Sequence, residues 1–126
     1  PDPDFSHADL PGATLTDTRM PRSTLNHVQV RGADLRRVDL LESRGKSASF
    51  ESADLRAASL LGARFEKPDF RDADLRAADL RDAVLIDADL RGADLRDARV
   101  EGLDLRNPIT DERTKLPTPL PHSPLA

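Results

Sequence analysis

From Phe5 to Leu105 every fifth residue is a large apolar side chain, broken once at Gly45, and thirteen of the twenty-one residues two places earlier are alanine. A period of five suits neither regular element. An α-helix rotates by a net of about 140° over five residues, and an odd step along a strand sends the side chain to the opposite face. The leucines converge only if each pentad is a short extended segment followed by a corner, so that its fifth residue and the one two before it face a common axis. The expectation is an all-β solenoid over residues 1–107, followed by a proline-rich tail, 108–126, that is extended or disordered.

A longer period sets the corner angle. Leu40-Leu41 with Arg44 recurs as Leu60-Leu61 with Arg64, and Ala-Asp-Leu-Arg begins at Ala33, Ala53, Ala73 and Ala93. Ala78 and Ala88 open the same tetrad, as the shorter period alone would allow. Four pentads then make one coil, and residues one coil apart stack at about 4.8 Å. Four interior columns follow. The first is Phe5, Leu25, Gly45, Phe65, Leu85, Leu105, and the second Leu10, Val30, Phe50, Phe70, Leu90. The third is Leu15, Leu35, Leu55, Leu75, Leu95, and the fourth Met20, Leu40, Leu60, Leu80, Val100.

The run Ala73-Asp74-Leu75-Arg76-Ala77-Ala78-Asp79-Leu80-Arg81-Asp82 resembles the signature of the pentapeptide-repeat proteins, in which alanine, aspartate or asparagine, and leucine precede two variable residues. The resemblance covers residues 3–107, and the register never slips across that span. It implies a right-handed quadrilateral β-helix of about five coils of four pentads, with leucine or phenylalanine central and alanine beside it. Coils of this kind cannot bury their apolar faces alone, so a short run of repeats is expected to be unstable.

Composition bounds the rest. A chain of 126 residues with 33% charged side chains reads as one soluble domain. No apolar run approaches the roughly 20 residues of a membrane helix, and no secretory segment opens the chain. The absence of cysteine excludes disulfides and thiol chemistry, and a bacterial cytoplasmic location fits. Opening at Pro1 rather than Met, the chain reads as a processed product or a piece of something longer.

The repeat varies along its length. From Ala48 to Ala98 the small inward position is alanine except at Pro68, whereas earlier coils use Thr18, Ser23, Val28, Val38 and Ser43, which makes the N-terminal half the looser one. Gly45 removes a column member between Leu25 and Phe65, and the rings of Phe65 and Phe50 are expected to fill the gap. Pro68 lacks an amide donor and is tolerable only where that bond is dispensable.

Candidate chemistry fails motif by motif, and no enzyme, cofactor or metal is expected. Gly45-Lys46-Ser47 ends like a phosphate-binding loop, but that motif needs glycine where Leu40 stands. His7 and His27 stack on one corner without a third ligand, and His122 lies in the tail. Acid–base catalysis needs carboxylates shifted by burial or by an unbalanced neighbour. Here Asp precedes the central residue in eleven pentads and Arg or Lys follows it in ten, so the surface is a charge lattice and not a cleft. Its clearest stretch is the row Asp34, Asp54, Asp74, Asp94 beside the row Arg36, Arg56, Arg76, Arg96, which neutralise each other.

Two functional readings remain. The first is a non-catalytic binding or scaffold module acting through protein–protein contacts. Its partner surface is sought where outward positions break the charge rule, at Leu41 and Leu61 and, near the same corner, at Val84 and Ile86. The second follows from the resemblance, because the family includes a gyrase-directed group that resembles duplex DNA and modulates quinolone sensitivity. A duplex mimic needs dense negative charge, whereas this chain has net charge −4 from 23 acids and 19 bases. Direct nucleic-acid binding is not expected. The solenoid ends are apolar and must be capped or paired. Leu103, Ile109, Leu116 and Leu120 suggest a tail folded over the last coil, and Thr110 to Pro117 resembles the closing segment of some actinobacterial members. At the uncapped Phe5 end, self-association or a neighbouring domain is expected.

Overall fold

A computed structural model describes residues 2–117. The chain coils four-sided, and each side is named here by its column. On the first side four three-residue strands, β1 (Arg44–Lys46), β2 (Arg64–Glu66), β3 (Val84–Ile86) and β4 (Asp104–Arg106), form a parallel sheet in chain order. The register pairs Arg44 with Arg64, Gly45 with Phe65 and Lys46 with Glu66, a step of one coil. The other sides are parallel ladders of single bridges, such as Thr14, Asp34, Asp54, Asp74 and Asp94 on the third.

The hydrogen bonds show why a pentad suffices. Within pentads that have a coil on either side, the central amide donates to the next coil (Leu35 N to Asp54 O, 2.8 Å), the residue before it donates to the previous coil (Asp54 N to Ala33 O, 2.9 Å), and the second corner residue donates onward (Arg37 N to Arg56 O, 3.0 Å). The corner itself closes locally, as from Val38 N to Leu35 O at 3.1 Å. Its second residue always has positive φ, which makes it a type II turn. Glycine takes that place at Gly32 and Gly62, yet Ala57, Ala77 and Arg37 adopt it too.

Two sequence anomalies now have a cause. Pro68 and Pro108 stand at the corner after the first side, where the amides of Ala48 and Ala88 make no backbone hydrogen bond. Proline therefore removes no bond that the later coils use. At Gly45 a methyl group would lie 2.8 Å from Leu25 O, so the backbone itself has moved into the space a side chain would need. Phe65 packs edge-on against Phe50 at 5.6 Å, and Phe50 stacks on Phe70 at 5.1 Å, which fills the neighbouring core.

Of the twenty expected core residues, fifteen are buried: Leu25, Val30, Leu35, Leu40, Phe50, Leu55, Leu60, Phe65, Phe70, Leu75, Leu80, Leu85, Leu90, Leu95 and Leu105. Five are corrected. Phe5 is 38% and Leu10 43% exposed, since among the described residues no coil lies over the first one. Leu15, Met20 and Val100, in the first and last coils, are only partly buried.

Pairing continues past residue 107. Ile109 bridges to Asp89 in the usual step, and Lys115 bridges to Asp94 one residue late. The extra residue is accommodated by Asp111, whose carboxylate accepts from the amides of Gly92, Arg113 and Thr114 at 3.0–3.1 Å. Thr114 Oγ1 donates to Leu90 O at 2.8 Å and Arg113 reaches Asp72 at 2.9 Å, so the segment is tied across the last coils. Leu116 is partly buried and Pro117 is buried, whereas Leu120 and His122 lie outside the described residues.

Gly45→Ala is expected to destabilise the fold by about 1–3 kcal/mol, since the clash is with backbone. Pro68→Ala is expected to change it by less than about 1 kcal/mol. Urea denaturation of the two variants measures the contrast.

Candidate interaction surfaces

On the third side, Arg36 donates two hydrogen bonds to Asp34 at 2.9 and 2.8 Å, and Arg56 repeats this on Asp54 at 2.9 and 2.6 Å. Arg76 with Asp74 and Arg96 with Asp94 continue the row. The same aspartate Oδ1 also accepts the arginine's own amide, at 3.2 Å for Arg36. That amide opens the corner and joins no inter-coil ladder, so Asp caps the turn and pairs the guanidinium at once.

The pairs are also linked between coils. Arg36 lies 4.0 Å from Asp54, Arg56 3.8 Å from Asp74 and Arg76 3.9 Å from Asp94. Like-charged neighbours one coil apart are thereby offset by the opposite row. The guanidinium hydrogen bonds hold the carboxyls of Asp34, Asp54, Asp79, Asp89 and Asp94 below the usual range. Partnering carboxylates keep Arg36, Arg56, Arg76 and Arg96 charged to still higher pH than a free arginine.

The first side differs. Between Asp4 and the Asp104–Arg106 pair, its outward rows read Thr24, Arg44, Arg64, Val84 and Asn26, Lys46, Glu66, Ile86, and in those four coils no aspartate draws an arginine across the strand. These residues line a groove of about 340 Å³ over Gly45 and Phe65. Val84 and Ile86 belong to this groove, whereas Leu41 and Leu61 do not line it. Those two leucines stack one coil apart on the preceding corner, where Glu42 N donates to Leu61 O at 2.8 Å, and both are partly buried. Sequence reasoning missed the groove. Its signal was the non-acidic run Thr24, Arg44, Arg64, Val84 in a position that elsewhere is mostly Asp.

Sequence comparison agrees with the coil. The family model for pentapeptide repeats matches eight copies, over residues 4–40, 48–85 and 69–107. The chain belongs to the pentapeptide-repeat family. Its fold is the right-handed quadrilateral β-helix of that family. Among solved structures, the pentapeptide-repeat protein Rfr23 of the cyanobacterium Cyanothece 51142 is 22% identical, with a TM-score of 0.50 over 90% of this chain and 88% of that one. A form of QnrB1, a plasmid-mediated fluoroquinolone resistance protein, is 16% identical at a TM-score of 0.50, over 86% of this chain and 58% of that one. The pentapeptide-repeat protein alr5209 of Nostoc PCC 7120 is 30% identical over 95% of this chain and 78% of that one, at a TM-score of 0.41. No curated protein matches the chain.

The first coil of this pentapeptide-repeat solenoid presents an apolar face among the described residues. Phe5, Leu10, Leu15 and Met20 rim a cavity of about 230 Å³ that reaches down to Leu35 and Phe50. His7 and His27 stack on a corner with ring centres 5.1 Å apart. Among the described residues no group of three or more ligating side chains converges.

The depressed aspartates set an acid limit. A carboxyl with a lowered folded pKa contributes stability above its unfolded value near 3.9, and that contribution is lost as pH falls through the folded value. The thermal midpoint is expected to be flat from pH 7 to about 5 and to fall below about 4. Circular dichroism melts across that range check it.

Proposed function

We propose that this protein is a non-catalytic, rod-shaped scaffold that acts through protein–protein contacts, in the bacterial cytoplasm. The observation that carries the reading is the pair Leu41 and Leu61, one coil apart on a corner, an apolar interruption in a solenoid whose third side is closed by paired Asp and Arg. An ion-paired surface offers a partner little, since exposed pairs contribute at most about 1 kcal/mol each. Apolar interruptions are where burial gains more. The N-terminal mouth around Phe5 and Leu10 supplies a second contact, through self-association. Among the described residues no helix is long and apolar enough to cross a membrane.

A second reading, a DNA-mimicking protein that binds gyrase or another topoisomerase and modulates quinolone sensitivity, draws on the fold it shares with QnrB1, a fluoroquinolone resistance protein. The rod, about 24 Å long for five coils, suits it. Its charge does not, because Asp34, Asp54, Asp74 and Asp94 are each taken up by an arginine and present no continuous negative rail.

Replacing Leu41 and Leu61 together with lysine is expected to leave folding intact while weakening association with a partner or with a second copy at least tenfold. Unchanged association in sedimentation and pull-down measurements removes that pair. Gyrase supercoiling, assayed with and without a quinolone, tests the second reading, which ends if the protein alters neither.

A further inference from the structure

We infer that the first side of the solenoid binds a short acidic peptide segment carrying apolar residues at one end, laid along the rod axis over Gly45. The inference rests on the protein-docking reading above and names a different surface and the chemistry of its occupant.

The argument begins with charge left uncompensated. Arg44 and Arg64 are register partners on adjacent strands, both exposed, so two guanidinium groups stand one coil apart. On the third side such neighbours are spaced by carboxylates, whereas among the described residues neither Arg44 nor Arg64 has a carboxylate within 4.0 Å, Asp4 two coils away on the same ladder being the acid whose charge reaches Arg44. Lys46 has only Glu66, at 3.9 Å. Three cations against one anion leave a local excess of positive charge on a chain whose net charge is −4.

The backbone adds donors. On the third side Asp in this position accepts the amide two residues on, as Asp34 does from Arg36 and Asp54 from Arg56. On the first side Asn26 takes the Lys46 amide at 3.0 Å, but no side chain accepts from the amides of Glu66 or Ile86 among the described residues. A carboxylate entering the groove meets guanidinium and amide donors together. Val84 and Ile86, partly buried, then offer an apolar floor one coil further on.

The geometry fits a peptide. Four rungs at about 4.8 Å span roughly 15 Å, the length of four or five extended residues. A nucleic acid fits less well. Glu66 and the Asp104–Arg106 pair lie on the same side, and a long polyanion also meets the acidic remainder of the surface. A short peptide stays within about one Debye length, roughly 8 Å, of the groove cations.

The test is fluorescence anisotropy on the full chain, using a fluorescein-labelled peptide of glutamates ending in two leucines. The comparison probes are its glutamine analogue and a labelled oligothymidylate. The expected result is binding of the glutamate peptide that weakens as salt is raised. The double variant Arg44→Ala, Arg64→Ala should lose about tenfold or more in affinity. Glu66→Gln should bind several-fold tighter, because a competing carboxylate is gone. Val84→Ser with Ile86→Ser should lose affinity while keeping the salt dependence. Circular dichroism confirms that each variant keeps the wild-type fold, and Glu66→Gln reads the groove by a gain that misfolding does not produce.

Equal binding of the glutamine peptide, an unchanged affinity of the arginine variant, or weaker binding by Glu66→Gln overturns the inference. Tighter binding of oligothymidylate than of peptide also overturns it, in favour of a nucleic-acid surface. None of these outcomes bears on the pair Leu41 and Leu61, which is read by association and not by this peptide.

Discussion

A right-angle corner every five residues is the constraint on which the structure depends. Each corner places its second residue in the left-handed region, at a cost of roughly 1–2 kcal/mol where that residue is not glycine. Sixteen non-glycine residues accept this conformation, so something must offset the strain in every coil. The offset comes from the ladder between coils and from the central side chains it brings together. Neither exists for an isolated coil, which makes the rod cooperative along its axis.

In the pentads that carry it, the aspartate before the central residue serves the same constraint. Its carboxylate accepts the corner amide that no ladder uses and, where an arginine follows, holds that guanidinium flat against the surface. Pro11 and Pro21 occupy the same corner place with no amide to cap, and Pro21 follows Arg19 rather than Asp. Charge patterning on this protein is thus first a device for closing turns. The neutralised rows of the third side follow from that device and leave no continuous run of free charge there.

Function is therefore sought where the device is interrupted. The first side lacks the aspartates at Thr24, Arg44, Arg64 and Val84, and there the groove opens, with Arg44 and Arg64 outside ion-pair distance of any carboxylate among the described residues and Lys46 beside Glu66. The corner at Leu41 and Leu61 interrupts it in another way, with apolar side chains in place of charge. Both interruptions sit on a regular frame of stacked coils.

The coil, its four columns and the paired Asp and Arg rows were legible in the residues alone, because a solenoid turns a sequence period directly into a translation in space. Stacking Leu35, Leu55, Leu75 and Leu95 needs only the count of residues per coil. What the count cannot supply is anything decided by neighbours across coils or by the lack of them. The exposure of Phe5 and Leu10 and the close approach of Gly45 to Leu25 belong to that class. So do the one-residue insertion that Asp111 absorbs and the separation of Val84 and Ile86 from the leucine corner. Each depends on how side chains one coil apart, or an end with no further coil, fill space, and that was settled only when the chain was wound.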